Sequence, residues 1–324
     1  MSFKNKRIYV AGSTGMVGSS VLRELRSKGY EHLIATTSSE LDLTDQQAVG
    51  RFFAAEKPDF VVLAAAKVGG ILANDTFRAD FLYDNLIIEA NVIHSAFQAG
   101  VEKLIFLGSS CIYPRLAPQP LKEESLLTGK LEQTNEPYAI AKIAGIKLCE
   151  SYYRQHRSNF YSVMPTNLYG RNDNFDLESS HVIPALIRKF SEAKANGLDE
   201  VFVWGTGSPR REFMLVDDLA DAIRFMIENV DARLIFEQGI SHVNIGCGED
   251  IQIGELALMI GRIVGFQGTI KYDTDRPDGT PRKLLDTSRL TKMGWIPQTS
   301  LEVGLRSTID WFHSAERQTD ADAY

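Results

Sequence analysis

A doubly wound parallel α/β sheet, followed by a smaller α/β lobe, is the fold that this 324-residue sequence predicts. Three observations lead there. Short runs that are apolar throughout alternate with helix-period segments over the first half, and strands of that kind are buried on both faces of a parallel sheet. A glycine cluster occupies the first strand-to-helix turn. After about Tyr169 the alternation loosens, and the chain is longer than one average domain.

The elements follow in order. Arg7-Ile-Tyr-Val-Ala11 reads as a strand and Met16 to Lys28 as a helix ending at Gly29. His32 to Thr36 is a second strand, and Gln46 to Glu56 a helix stopped before Pro58. Asp59 to Ala65 is a third strand, Ala79 to Ala99 a long helix, and Lys103 to Leu107 a fourth strand. A polar loop is expected over Gly170 to Ser180, then a helix from Val182 to Asn196. Val201 to Trp204 is a strand, Gly205 to Pro209 a turn cluster, and Val216 to Glu228 a helix. His242 to Ile245 is a strand, Gly254 to Val264 a helix, and Pro277 to Pro281 a loop. The expected division is residues 1–169 with part of 212–250 in the first unit, and the remainder of 170–324 in the second.

Composition narrows the function. The chain is 44% hydrophobic and 24% charged, as soluble globular proteins are, and its formal charge of −7 excludes a general nucleic-acid binder. No segment approaches the ~20 apolar residues that span a bilayer, so no membrane association is expected. The start runs into a strand without a signal-peptide core. Cys111, Cys149 and Cys247 are widely separated, which points to no disulfide framework, no metal pair and a reducing cytoplasm.

The glycines stand as Val10-Ala-Gly12-Ser13-Thr14-Gly15-Met16-Val17-Gly18, between the first strand and the first helix. Glycine permits a tight turn and lets backbone N–H groups at a helix start approach a pyrophosphate, the device of Rossmann dinucleotide sites. Glycines needed only for packing would read the same way. After the second strand stands Thr36-Thr-Ser-Ser39, with neither the acid usual for NAD nor an arginine. Hydroxyls can donate to a 2′-phosphate, so NADP (as NADPH) is favoured. Asp42 has two open readings, a group facing the adenine or a helix cap near Thr44.

Tyr138-Ala-Ile-Ala-Lys142 places a phenol and an ammonium on one helix face. An ammonium there is expected to lower the phenol pKa and let it exchange a proton with a carbonyl oxygen. Ser109, just past the fourth strand, lies at the sheet edge where ligands bind and can hold the same oxygen. If the chain stays extended beyond that strand, Ser109 and Cys111 share a side.

With glycine loop, serine, tyrosine and lysine in this order, the chain resembles the extended short-chain dehydrogenase/reductases. Within them it is similar to the GDP-L-fucose synthases along nearly its whole length. The stretches that carry the likeness include Ala64-Ala-Ala-Lys-Val-Gly-Gly70, Leu107-Gly-Ser-Ser-Cys-Ile-Tyr-Pro114, Asn135-Glu-Pro-Tyr-Ala-Ile-Ala-Lys142, Met164-Pro-Thr-Asn-Leu-Tyr-Gly170, Ser180-His-Val-Ile-Pro184 and Pro277-Asp-Gly-Thr-Pro-Arg-Lys283.

The resemblance implies two epimerisations of GDP-4-keto-6-deoxy-D-mannose, at C3 and C5, and then reduction at C4. It implies Cys111 as the base and His181 as the acid of the epimerisation, with Ser109, Tyr138 and Lys142 at the ketone. Leu107, Gly108, Lys142, Pro165, Asn167, Leu168 and His181 would touch the cofactor. Asn167, Lys189, Trp204, Arg211 and Asp278 would line the substrate pocket, with Arg282 and Lys283 adding positive charge. A homodimer through helices around 79–99 and 138–153 is also implied.

Bland readings stand beside each of these. Cys111 could be a small buried hydrophobe, His181 a loop or cap residue, Trp204 core, Lys189 a solvated helix face and Asp278 a turn residue. Thr14 and Lys189 stand where relatives often carry arginine, and Arg171-Asn-Asp where Pro-His-Asp is frequent. A sugar-nucleotide 4-epimerase or 4,6-dehydratase, or a non-catalytic dinucleotide sensor, are the competing functions.

Overall fold

A computed structural model describes residues 3–177, 179–276 and 278–322. Glu178 and Pro277, within two of the loops read above, lie outside the described residues.

The first stretch comprises β1 (Ile8–Ala11), α1 (Met16–Ser27), β2 (Leu33–Ala35), α2 (Gln46–Glu56), β3 (Phe60–Leu63), α3 (Ile71–Thr76), α4 (Arg78–Gln98), β4 (Lys103–Leu107), α5 (Glu136–His156) and β5 (Phe160–Pro165). Then come β6 (Asn167–Tyr169), α6 (Val182–Ala195), β7 (Glu200–Trp204), β8 (Arg210–Arg211), β9 (Phe213–Leu215), α7 (Val216–Asn229), α8 (Ala232–Phe236) and β10 (His242–Ile245). The chain closes with β11 (Ile251–Gln252), α9 (Ile253–Val264), β12 (Thr269–Asp273), β13 (Arg282–Lys283), α10 (Ser288–Met293) and α11 (Leu301–Asp322).

Six strands form one sheet in the order β10-β5-β4-β3-β1-β2, and every pairing is parallel. The chain leaves β1 toward β2 and then crosses back to β3, so the strand order reverses between β1 and β3. At such a switch point the loops diverge and open a crevice at the carboxyl edge. Side chains alternate across the sheet. Ile8, Val10, Val62 and Ile105 pack with α1 and α7 through Leu25, Leu219 and Ile223. Tyr9, Ala11, Val61, Leu63 and Phe106 pack with α2, α4 and α5 through Phe53, Val92 and Ile146. Each fully buried Val, Leu or Ile contributes about 1.5–3 kcal/mol, and this places both helical layers firmly.

A third core joins Ile183, Ile187 and Phe190 of α6 to Leu256 and Ile260 of α9 and to Leu305 and Ile309 of α11. Around it stand small sheets: β7 beside β12, β6 beside β9, and β8 between β11 and β13. Local signals set the boundaries. Asp45 accepts from the Gln47 and Ala48 N–H groups to start α2, and Gln252 with Glu255 forms a capping box on α9.

Candidate active site

The turn after β1 depends on glycine at two places. Gly12 takes φ +81°, and a Cβ there would lie 2.7 Å from the Ala65 backbone nitrogen beyond β3. A Cβ at Gly18 would lie 2.1 Å from the Gly12 carbonyl oxygen, so α1 meets the turn backbone to backbone. Gly15 starts α1 without a side-chain cap, which leaves the first N–H groups without side-chain partners. Ser13 Oγ donates to the Thr36 carbonyl at 2.8 Å and ties the loop to the end of β2. Thr14 and Gly15 are exposed, while Met16 and Val17 are half-buried. These features fit a pyrophosphate at the helix start.

Beyond β2 the hydroxyls are locally engaged. Thr37 donates to Glu40 from its nitrogen at 2.7 Å and its hydroxyl at 2.9 Å. Asp42 accepts from the Thr44 nitrogen at 2.8 Å and hydroxyl at 2.7 Å, with its carboxylate exposed. The cap of α2 is Asp45, so the cap reading of Asp42 is not met.

Pro137 pre-sets the first turn of α5, which then carries Tyr138 and Lys142 one turn apart. The Lys142 ammonium lies 5.7 Å from the Tyr138 ring centroid and 4.7 Å from that of Phe106. It also lies 3.1 Å from Glu89 Oε1, and both side chains of that pair are only 2% exposed. Burial pushes the Glu89 carboxyl up to about 7 against the pull of Lys142. The Tyr138 phenol is raised well above its usual value, first by burial and then by Cys111 and Glu89, while Ser109 pulls it down. This reverses the sequence expectation of a lowered phenol, because burial outweighs the other influences on it and the Lys142 ammonium is paired with Glu89.

Past β4 the chain does not stay extended. Ser110–Ile112 forms a 3-10 turn capped by Ser109, whose Oγ accepts from the Cys111 N–H at 3.5 Å. The alternation argument for Ser109 and Cys111 is therefore corrected: the turn, not a pleat, brings the two together. Cys111 is 6% exposed, and burial raises its thiol while Lys283, Ser109 and Lys142 favour the thiolate. His181 is the cap residue of α6, but its ring makes no cap bond. It opens to the cleft with protein around it, and burial together with Lys283 lowers its pKa, so the imidazole is neutral at pH 7.

Lys283, which the sequence reading treats only as added charge, faces the centre of this group. It pairs in register with Arg211, burial lowers its ammonium, and Cys111 and Glu132 hold it up. The pocket beside Cys111 is lined by Ser110, Glu132, Asn135, Thr280 and Lys283. Asn135 Oδ1 and Glu132 Oε2 are buried there without a hydrogen bond, although Glu132 lies 3.2 Å from Arg115 Nε.

Leu107 ends β4 with Gly108 after it, and Pro165 ends β5 with Asn167 and Leu168 in β6, so all five gather at the carboxyl edge. Asn167 Nδ2 donates to the Glu212 carbonyl at 2.8 Å. Trp204 is 44% exposed, so its core reading is not met. The Lys189 ammonium lies 5.1 Å and the Arg276 guanidinium 4.8 Å from its ring centroid. Lys189 also donates to the Phe202 carbonyl at 2.9 Å. Asp278 accepts from the Thr206 nitrogen at 2.7 Å and hydroxyl at 2.9 Å, holding the turn after β7 as its bland reading expects. Arg211 donates to the Arg210 carbonyl at 2.9 Å and is half-buried.

Glu89, Glu132, Asn135 and Arg276 are the site groups that the sequence reading does not single out. Burial pushes the thiols of Cys149 and Cys247 up to about 12, which leaves both inert at neutral pH. Among the described residues no group of His, Cys, Asp and Glu could hold a metal ion, and no helix is long and apolar enough to cross a membrane.

Comparison with known proteins places the chain in a family. The model of the NAD dependent epimerase/dehydratase family matches residues 8–246. GDP-L-fucose synthase 1 of Arabidopsis thaliana is 56% identical over 312 residues, covering 96% of this chain and 94% of the relative. GDP-L-fucose synthase of Escherichia coli (strain K12) is 55% identical over 309 residues, covering 95% and 96%. The crystal structure of a GDP-L-fucose synthetase from Naegleria fowleri bound to NADP superposes with a TM-score of 0.86 at 27% identity, covering 96% and 94%. The chain belongs to the NAD dependent epimerase/dehydratase family and, within it, to the GDP-L-fucose synthases.

Proposed function

We infer that the chain converts GDP-4-keto-6-deoxy-D-mannose to GDP-L-fucose, by epimerisation at C3 and C5 and reduction at C4. The observation that carries this reading is the gathering of Ser109, Cys111, Tyr138 and Lys142 at the carboxyl edge of the sheet, with Lys283 linking them to His181. Residues 12–18 with Leu107, Gly108, Pro165 and Leu168 would hold NADPH, which would supply the hydride.

The chain's own groups handle the protons. Ser109 and Tyr138 hydrogen-bond the C4 ketone oxygen, which draws charge off the ring and acidifies the C3 and C5 hydrogens. The resting pair is a thiol at Cys111 and a neutral imidazole at His181. Passing the thiol proton to the imidazole arms the pair; the Lys283 charge favours the thiolate that this leaves at Cys111 and hastens the return of the proton from His181. The thiolate then takes a C–H proton and the imidazolium returns one to the opposite face, which restores the resting forms. The cycle repeats at the second carbon. Tyr138 finally gives its phenolic proton to the oxygen at C4.

Arg211 and Lys283 suit the pyrophosphate, and the open Trp204 ring suits the guanine, with Lys189, Asn167 and Asp278 around them. We also assign a homodimer through α4 and α5, supported by Tyr83 at 64% and Ile140 at 44% exposure on those helices. Three free cysteines support a reducing cytoplasm.

The test mixes the protein with the keto sugar and NADPH. One equivalent of reduced cofactor should disappear per sugar. A 4-epimerase or 4,6-dehydratase would leave NADPH unconsumed, and a sensor would bind it without turnover.

A further inference from the structure

We propose that Glu89 is a positioning residue, whose buried carboxylate holds the Lys142 ammonium beneath Tyr138 and thereby sets the pH range of the C4 reduction. The inference rests on the reading above for the role of Tyr138.

Glu89 lies in the middle of α4, on the buried stripe formed by Phe81, Asn85, Val92 and Ala96. Its Oε1 is 3.1 Å from Lys142 Nζ, and both side chains are almost fully enclosed. Helix α5 makes room for it. A Cβ at Gly145 would lie 2.7 Å from Glu89 Oε2 and 2.5 Å from the Phe106 ring, so only a glycine lets the two helices close over this pair. Neither carboxylate oxygen has a conventional hydrogen bond. The ion pair with Lys142 is thus the chief partner of a carboxylate in an apolar layer.

Such a pair is a poor device for stability. Removing two charges from water costs more than their attraction returns unless both are fully satisfied, and apolar replacements are often neutral or better. Its location suggests another use. The groups that face Glu89 are Lys142, Tyr138, Cys149 and the Gly145 backbone N–H from α5, with the Phe106 ring from β4. Among the described residues, α2 and β3 bring no charged group to it. Beyond Tyr138 stand Cys111 and Lys283.

The sign follows from the charges. A carboxylate near the phenol disfavours the phenolate, so it keeps Tyr138 protonated and able to donate. It also holds the ammonium in place. Without it, Lys142 loses its anchor and its positive charge acts on the phenol uncompensated, which favours early loss of the phenolic proton.

The test follows NADPH oxidation by the keto sugar from about pH 6 to about pH 12 in the parent, Glu89→Gln, Glu89→Asp, Lys142→Met and the Glu89→Gln/Lys142→Met pair. Thermal melting and NADPH fluorescence titration accompany each. Glu89→Gln should move the alkaline fall-off of kcat down by about one pH unit, and Glu89→Asp should move it back toward the parent. In the Lys142→Met background, Glu89→Gln should change the rate by less than about twofold, because its partner is already gone.

An alkaline limb unmoved in Glu89→Gln overturns the proposal. So does an equal further loss in the Lys142→Met background, and that comparison stands even if the single Glu89→Gln chain fails to fold. A parent that oxidises no NADPH instead sinks the functional reading, so the two failures are distinct.

Discussion

Replacing Gly18 by alanine tests whether the turn after β1 seats a pyrophosphate. The added Cβ would stand 2.1 Å from the Gly12 carbonyl oxygen, 2.7 Å from its carbon and 2.9 Å from Ser13 Cα, and all three are backbone atoms that no rotamer can move. A carbon tolerates an oxygen at about 3.3 Å, so the turn must withdraw by roughly 1 Å. A phosphate bond of about 2.9 Å stretched that far is lost. Losing two bonds to a charged group, each about 1.5–3 kcal/mol, weakens NADPH by at least about 100-fold. The assay is a fluorescence titration of NADPH with a thermal melt of the same sample. Gly50→Ala is the control. It lies in α2 with nothing within 4 Å of its Cβ, and should stabilise the chain by about 0.5–1 kcal/mol without touching cofactor affinity. An affinity in Gly18→Ala within about threefold of the parent, with the chain folded, would refute the assigned seat.

Other perturbations address separate steps. Cys111→Ser should cut deuterium uptake at C3 and C5 by at least about 100-fold while NADPH binding holds, and equal uptake would remove its role. Tyr138→Phe should spare that exchange and lower hydride transfer by about 100-fold or more, and unchanged transfer would refute it. His242 is buried and its imidazole is lowered to about 3 from the usual 6.5. The unfolded chain therefore takes up a proton that the folded chain refuses, and stability present above pH 6.5 is lost on acidification, by about 2 kcal/mol at pH 5. His242→Gln should flatten the fall in urea midpoint between pH 7.5 and pH 5, and parallel slopes would contradict the assignment. Sedimentation should give a dimer for the parent and a monomer for Tyr83→Glu; identical behaviour would place the interface elsewhere.

Much of this architecture is legible in local patterns, and its exceptions have physical causes. Helix α2 and strands β4 and β10 match their sequence bounds because caps, proline and continuous apolar runs mark them locally. Strands β8, β11 and β13 are two residues long and exist only through pairing between distant segments, so nothing nearby announces them. The sequence reading places no strand between Tyr153 and Asn167, where β5 lies between β10 and β4 in the sheet, although Phe-Tyr-Ser-Val-Met is a buried run of the expected kind. The extended reading of Ser109 to Cys111 fails because the serine hydroxyl caps a tight turn instead. Tyr138, Lys142, Cys111 and His181 were legible as residue types in a family order, whereas their protonation was not. For Tyr138, Cys111 and His181 that depends first on burial and then on neighbours such as Glu89 and Lys283, which approach from α4 and β13. Glu89 did leave a signal, since an acid on the i, i+4 stripe of an apolar helix must find a partner.

The central claim is that one site exchanges two ring protons and then reduces the ketone between them. Running the reaction in heavy water with NADPH, and reading the sugar by NMR, tests it most directly. The account requires deuterium at both C3 and C5 of a GDP-L-fucose product, with one NADPH consumed. Reduction at C4 with protium retained at both carbons would make the chain a simple reductase and contradict the roles given to Cys111 and His181.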